Sequence, residues 1–299
     1  MFKNSRQFLI RCLSPMHAGT GQDIGSIDMP IQRESFTDIP KVEASTFRGA
    51  LRSTFSTPDE KDLANMMFGE NNDENGAGII GFTDLKLLFY PIKSRDGVYK
   101  LVTCPFLLKR YFEDKNLVYG SVEAKIDYIN SDFGIELEYQ NDKLVKSPEA
   151  KISLDDYSFQ MQSLTEDLTT INDIDIILKR INPENRKKIV ILNDEDFMEL
   201  EELNREIITR NKIDQDTGVV EDGALFTEEY LPAESILYGI LLYSPFKQEK
   251  IVFLEEEVKN KEYSVQKNLK NKRYFQIGGN SNLGKGIVKM EILFNGGDC

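Results

Sequence analysis

Residues 8–21, FLIRCLSPMHAGTG, decide how the rest of the chain is read. Phe8, Ile10 and Cys12 alternate with Leu9, Arg11 and Leu13, the period-2 pattern of a strand. The strand runs into Ser14-Pro15 and a loop carrying Gly19, Gly21 and Gly25, followed by the polar stretch IDMPIQRESFTDIPKVE. Ser45 and Thr46 then offer N-caps for a short helix from Phe47 to Phe55. A second helix is expected from Pro58 to near Gly69, with Asp59 and Glu60 favouring its positive start.

Beyond this the pattern turns to strands. Gly81 to Tyr90 reads as a long strand stopped by Pro91, and Ser94-Arg95-Asp96-Gly97 as a turn into a partner strand, Val98 to Thr103. A helix is expected to begin at Pro105 and run to Phe112. In the segment that follows, Ile189 to Leu192 reads as a strand and Asp194 to Ile207 as an acidic helix. ITRNKIDQDTGVVEDGALFTEEYLP reads as a hairpin turning at Asp214 to Gly218. Ser235 to Ser244 is a strongly apolar strand, expected to be central, and Asn260 to Lys272 is basic and helical in character. The Gly-rich loop GGNSNLGKG, Gly278 to Gly286, leads into a last strand, Ile287 to Phe294. This order predicts an α+β fold with a largely antiparallel, ferredoxin-like sheet.

Composition narrows the function. The 299 residues are 40% hydrophobic and 29% charged, as in an ordinary globular protein. The most apolar run, Ile236 to Tyr243, is far short of the roughly 20 residues of a spanning helix, so no membrane partner is expected. The N-terminus MFKNSRQFLI has no apolar run before a small-residue cleavage site. The three cysteines, Cys12, Cys104 and Cys299, have no metal spacing, and a cytoplasmic location with reduced thiols is expected.

Net charge is −13, but it is unevenly spread. Glu113 to Glu206 holds 23 acids and 11 bases, whereas Val258 to Met290 holds 8 bases and 1 acid. Met1 to Thr57 holds 7 bases and 5 acids. A polyanion fits the ends and not the middle; solvated faces give the same pattern.

Three segments carry candidate chemistry. GGNSNLGKG is neither a P-loop nor a dinucleotide fingerprint, since it precedes a strand. Its backbone N–H groups, flanked by Lys272, Arg273 and Lys285, suit a sugar-phosphate backbone, and an ordinary tight turn equally. His17 is the single histidine, which excludes sites built on several. Asp23 and Asp28 share its loop and could hold a divalent ion or accept a proton from a hydroxyl. Glu228 and Glu229 are adjacent, so in a strand they face opposite ways and at most one joins a site with Asp28.

LSPMHAGTGQDIGSIDMPIQRE, PKVEASTFRGALR, DGALFTEEYLP and QIGGNSNLGKG together resemble the RAMP superfamily of CRISPR-associated proteins. More narrowly, they resemble the repeated backbone subunit of the type III-B (Cmr) effector complex. The resemblance spans both ends and the second half, leaving the acidic middle unaligned. It implies a ferredoxin-like (RRM-like) palm, a helical insertion and a projecting thumb hairpin. The chain 1–299 would be one RAMP domain with insertions at about 58–80 and 105–206 and the thumb at about 208–231. Copies would stack along CRISPR RNA with other Cmr subunits. They would cut the paired single-stranded target RNA at regular intervals, with a divalent ion, Mg2+ or Mn2+, as cofactor.

The family's cleaving aspartate, which would also hold the metal, falls on Asp28. His17, Glu228 and Tyr230 fall on positions lining the same site. Lys41, Arg48, Arg52, Lys272, Arg273, Gly278, Gly279, Asn280 and Lys285 are the expected RNA-binding residues. Base pairing would read sequence while the protein reads backbone and shape. Two alternatives stand: a scaffold that binds guide RNA and cuts nothing, and a guide-processing RAMP endoribonuclease.

Overall fold

The computed structural model describes residues 4–22, 25–69, 78–120, 129–148, 151–162, 168–181, 188–211, 225–243, 269 and 272–293. The first strand is β1 (Asn4–Cys12). It is followed by β2 (Lys41–Val42), α1 (Ala44–Ser53), α2 (Pro58–Phe68), β3 (Ile80–Phe82), β4 (Leu85–Ser94), β5 (Val98–Thr103) and α3 (Pro105–Tyr119). The middle of the chain adds β6 (Phe133–Gln140), β7 (Lys143–Lys146), β8 (Lys151–Leu154), β9 (Tyr157–Met161), α4 (Leu168–Ile181), β10 (Ile189–Leu192) and α5 (Asp194–Leu203). The last strands are β11 (Glu206–Arg210), β12 (Phe226–Tyr230), β13 (Ile236–Tyr243), β14 (Tyr274–Gln276) and β15 (Ile287–Ile292). The fold is mixed α+β around a large, mostly antiparallel sheet, as the sequence predicts.

The sheet runs β14-β15-β1-β13-β4-β5-β10-β6-β9-β8. β13 lies antiparallel between β1 and β4, with Phe8 opposite Gly239 and Ile236 opposite Phe89. Its central place follows from its composition, because a strand covered on both faces has no polar side to offer. On one face, Phe8, Ile10 and Cys12 of β1 meet Leu237 and Leu241 of β13, Phe47 and Leu51 of α1 and Met67 and Phe68 of α2. On the other, Leu9, Ile236 and Tyr238 meet Tyr111 and Phe112 of α3 and Ile174, Ile177 and Ile181 of α4. Phe8 stacks on Phe47 with ring centroids 5.0 Å apart. Burial pushes the Cys12 thiol up to about 12, with Glu234 adding to it, so it stays an inert packing group.

Several local expectations shift. α1 starts three residues earlier than expected, with Glu43 at its N-cap instead of Ser45 or Thr46. α2 starts with Pro58 in its first turn after a capping box between Thr57 and Glu60, and Gly69 ends it at φ 87°. Pro91 does not stop β4. By that residue the strand has left its ladder with β13 and pairs with β5, where Pro91 faces Leu101. A strand free on one side can carry a residue without an N–H. α5 ends at Leu203, not Ile207, because Glu206–Arg210 are drawn into a ladder with β12.

The acidic middle holds β6 to β9 and α4, none of which its charge pattern announces. Glu136 of β6 pairs at 2.6 Å with Lys100 of β5, both side chains fully buried. The turn Asp214 to Gly218 and most of Asn260 to Lys272 lie outside the described residues.

Candidate active site

β12, Phe226–Tyr230, is the spine of the site. It pairs with β11 so that Glu228 faces Ile208 and Tyr230 faces Glu206. On its other side the loop after β1 docks in two places and closes on itself in a third. Met16 bridges Leu231, Met29 bridges Glu228, and Gly19 closes the loop on Ile31. Met29 donates its N–H to the Thr227 carbonyl at 3.0 Å, and Glu229 donates its N–H back to the Met29 carbonyl at 3.0 Å. Five residues of extended chain thereby bring together segments about 200 positions apart.

The alternation along β12 separates the two glutamates, as expected. Glu229 is 1% exposed and faces inward. It accepts from the Ile31 N–H at 3.1 Å and from Arg33 at 2.5 Å. Arg33 also grips Glu201 with two nitrogens, at 3.0 and 3.2 Å. This is a structural network joining the loop to α5.

Glu228 faces the other way, with Tyr230. Its Oε2 accepts from the Tyr230 hydroxyl at 2.6 Å, from Arg210 at 2.6 Å and from the Asn280 amide at 3.1 Å. Burial pushes its carboxyl up, but the Tyr230, Arg210 and Asn280 hydrogen bonds outweigh that and hold it below the usual carboxylate range. Tyr230 is pushed up to about 12, by burial first and by its bond to Glu228 second. At neutral pH the pair is therefore a carboxylate and a protonated phenol.

His17 packs beside this pair, its ring 5.6 Å from that of Tyr230. Its Nδ1 lies 2.7 Å from the Glu229 carbonyl. A carbonyl only accepts, so Nδ1 carries the hydrogen. Nε2 faces Gly19, where an added Cβ would sit 2.5 Å away. The Gly-rich loop covers His17 from the other side. Gly279 donates its N–H to the His17 carbonyl at 2.9 Å. Gly278, at φ 85°, comes so close that a Cβ there would run into the same carbonyl oxygen. Asn280, in the left-handed region at φ 60°, aims its amide at Glu228 and the Tyr230 hydroxyl. Lys285 sits 4.6 Å over the Tyr230 ring.

Asp28 stands at the exposed end of the same spine. Thr227 gives its Oδ2 two hydrogen bonds, from the backbone N–H at 2.7 Å and from the hydroxyl at 2.8 Å. The Asp28 N–H donates to the Thr227 hydroxyl at 3.0 Å. These bonds, the backbone one foremost, hold the carboxyl below its usual range, so it is ionised. Oδ1 has no hydrogen bond among the described residues. Asp28 and His17 do not touch. They sit at Thr227 and Glu229, two residues apart along one strand and so about 7 Å of rise.

The expected RNA-binding cations are placed differently. Lys41 is held by Glu43 at 2.5 Å and Asp84 at 3.1 Å. Arg48 donates to the Phe68 carbonyl and Arg52 to that of Gly69, capping the negative end of α2. Lys272 pairs with Glu60 at 2.8 Å and donates to the Thr54 carbonyl at 2.9 Å. Arg273 and Lys285 are looser, 3.4 Å from Glu291 and 4.0 Å from Glu206. Asp23 lies outside the described residues.

Two residues at the site escaped sequence reasoning, Thr227 and Arg210. Arg210 reaches Glu228 only because β11 pairs Arg210 with Phe226, which makes Glu228 its diagonal neighbour. A one-residue slip of register would remove it.

The model of the RAMP superfamily matches residues 9–289. The CRISPR system Cmr endoribonuclease Cmr4 of Pyrococcus furiosus is 32% identical over 299 residues, covering 95% of each chain. The CRISPR system CMR subunit Cmr4 of Saccharolobus solfataricus is 23% identical over 96% of each. Among solved structures, oligomeric Cmr4 from Pyrococcus furiosus superposes with a TM-score of 0.68 at 26% identity, over 97% of this chain and 99% of that one. A chain of the apo type III-B Cmr-beta assembly shares the fold, with a TM-score of 0.74 at 24% identity over 98% and 99%. The chain belongs to the RAMP superfamily.

Proposed function

We propose that this chain is the repeated backbone subunit of a type III-B CRISPR effector complex in the cytoplasm. It binds CRISPR RNA as a helical filament with other Cmr subunits and cleaves the paired target RNA at regular intervals. The observation that carries this reading is the convergence on β12 of a fixed, ionised Asp28, His17 and the Gly-rich loop. A relative named an endoribonuclease, matching over 95% of both chains, supports it. Four strands in the order β15-β1-β13-β4, with β1 and β4 joined through α1, support a ferredoxin-like palm. The β11–β12 ladder supports a thumb hairpin rising from it, within one RAMP domain carrying insertions.

The reaction is attack of a target ribose 2′-oxygen on the adjacent phosphorus. The 2′-proton passes to a carboxylate, the 5′-oxygen departs, and a cyclic phosphate remains. Asp28 Oδ1 is the acceptor. Tyr230, protonated and bound to Glu228, is no base; with Glu228 and Asn280 it fixes the floor against which His17 packs. No three metal-ligating side chains cluster among the described residues. One carboxylate with a free oxygen nevertheless fits a Mg2+ or Mn2+ ion, which such residues share with water and substrate phosphate. If Asp28 Oδ1 held the ion instead of taking the 2′-proton, the ion would neutralise charge developing on the phosphate, and the proton would pass to water.

The test is the reconstituted complex with guide and matched target. Asp28→Asn is expected to abolish cutting while guide binding and assembly stay within about threefold, since this carboxylate acts on the transition state. Unimpaired cutting would leave the scaffold reading. Cutting of repeat RNA by the isolated chain would favour the guide-processing one.

A further inference from the structure

We propose that Thr227 is a positioning residue for cleavage, occupying Asp28 Oδ2 so that Oδ1 alone is presented to the RNA. The inference rests on the reading of Asp28 given above and extends it to a residue that touches neither substrate nor metal.

The geometry is reciprocal. Thr227 donates to Asp28 Oδ2 from its N–H at 2.7 Å and from its hydroxyl at 2.8 Å. The same hydroxyl accepts from the Asp28 N–H at 3.0 Å. A hydroxyl has one hydrogen, so its donation to Oδ2 and its acceptance from the Asp28 N–H lock its rotor. Two donors converging on one carboxylate oxygen fix the carboxylate plane as well as its place. Only Oδ1 remains unpartnered among the described residues.

Asp28 otherwise lies on an exposed loop, where a free carboxylate would sample several rotamers. Proton acceptance at a defined oxygen needs the reacting atoms held near contact distance, and lost alignment lowers the rate of the step more than binding. Thr227 lies on β12, the second arm of the hairpin ladder, and its carbonyl also takes the Met29 N–H. The strand that carries Glu228 and Tyr230 therefore also sets the angle of Asp28.

The hydroxyl is the separable part. Thr227→Val keeps the branched shape and the backbone N–H but removes the side-chain donor and acceptor. Thr227→Ser keeps both and removes a methyl group. In the reconstituted complex, single-turnover cleavage of a saturating matched target should fall about tenfold in the valine variant, the scale of one lost hydrogen bond to a charged group. Target affinity should stay within twofold, and the serine variant should cut within about twofold of wild type.

Equal cutting by valine and wild type, with Asp28→Asn inactive, would overturn the positioning role and leave Asp28 in place. Equal loss in valine and serine would assign Thr227 to packing instead. An active Asp28→Asn would remove the underlying reading.

Discussion

The two adjacent glutamates of β12 should fail in opposite ways when removed. Glu229 is almost fully buried and accepts from Arg33 and from the Ile31 N–H. Glu229→Ala deletes one charge from a buried network and strands one backbone donor. Removing one partner of a buried pair costs about 3–5 kcal/mol when the other charge is left alone. Here Arg33 keeps two bonds to Glu201, so the ionic loss falls below that range, at about 1–2 kcal/mol. The unpaired Ile31 N–H adds about 1–3 kcal/mol. A total near 3–4 kcal/mol corresponds to a fall in Tm of about 6–8 °C for a chain of this size.

Glu228 is bound by Arg210, whose side chain is 28% exposed and can turn to water once released. Glu228→Ala should therefore cost about 1–2 kcal/mol, a fall of about 2–4 °C. Cleavage should drop at least tenfold, because Tyr230, Asn280 and Arg210 lose their common acceptor. The assay pairs thermal unfolding of the isolated chain with target cutting by the assembled complex at 25 °C, where both variants are folded. Among the described residues the Glu229 side chain bonds or pairs with Ile31, Arg33 and Arg205, and its backbone carbonyl still holds His17 Nδ1 after the change. A stable Glu229→Ala chain that cannot cut, or a Glu228→Ala chain that melts lower than its neighbour and cuts normally, would refute this division.

Gly278→Ala should lower Tm and abolish cutting together, since the new Cβ meets the His17 carbonyl and the left-handed backbone alone costs about 1–2 kcal/mol; unchanged unfolding and cutting would contradict the close approach. Arg273→Gln should reduce the slope of log guide affinity against log salt by about 0.7–0.9 whatever the guide sequence, whereas Lys272→Gln should mainly lower Tm by releasing Glu60 and the Thr54 carbonyl.

How much of this was legible in the sequence depends on the range of the forces involved. β1, α2 and β13 were readable because alternation, a proline start and an unbroken apolar run are local signals. The split of Glu228 from Glu229 needed only strand alternation. β6 to β9 stayed hidden because their runs are short and alternate weakly, and the one strand with acid, β6, buries Glu136 where a period-2 pattern would call for an apolar residue. Thr227 and Arg210 could not be found without register. Each acts on a residue that pairing places beside it, Asp28 from 199 positions away and Glu228 from 18. The family resemblance reached Asp28, His17, Glu228 and Tyr230 but said nothing of what orients them.

The fate of the predicted RNA-binding cations follows from net charge. A chain at −13 has more carboxylates than cations, and its folded surface pairs them. Lys41 has two acidic partners, Arg48 and Arg52 cap a helix, and Lys272 braces the start of α2. A phosphate docking at any of these must displace a carboxylate or a carbonyl, so each contact returns only the difference between two similar bonds. The Gly-rich loop is no exception, since the N–H groups of Gly279, Leu283, Gly284, Lys285 and Gly286 already go to carbonyls; Lys285 and Arg273 are the least committed of the predicted cations. One copy then contributes little affinity to a guide. On the proposed filament the deficit is made up by repetition, because every further copy on the same RNA binds at the high effective concentration set by its neighbour. The same exchange explains how an acidic protein can grip a polyanion: of the predicted RNA-binding cations, the two beside the loop, Lys285 and Arg273, have the longest ion pairs to give up.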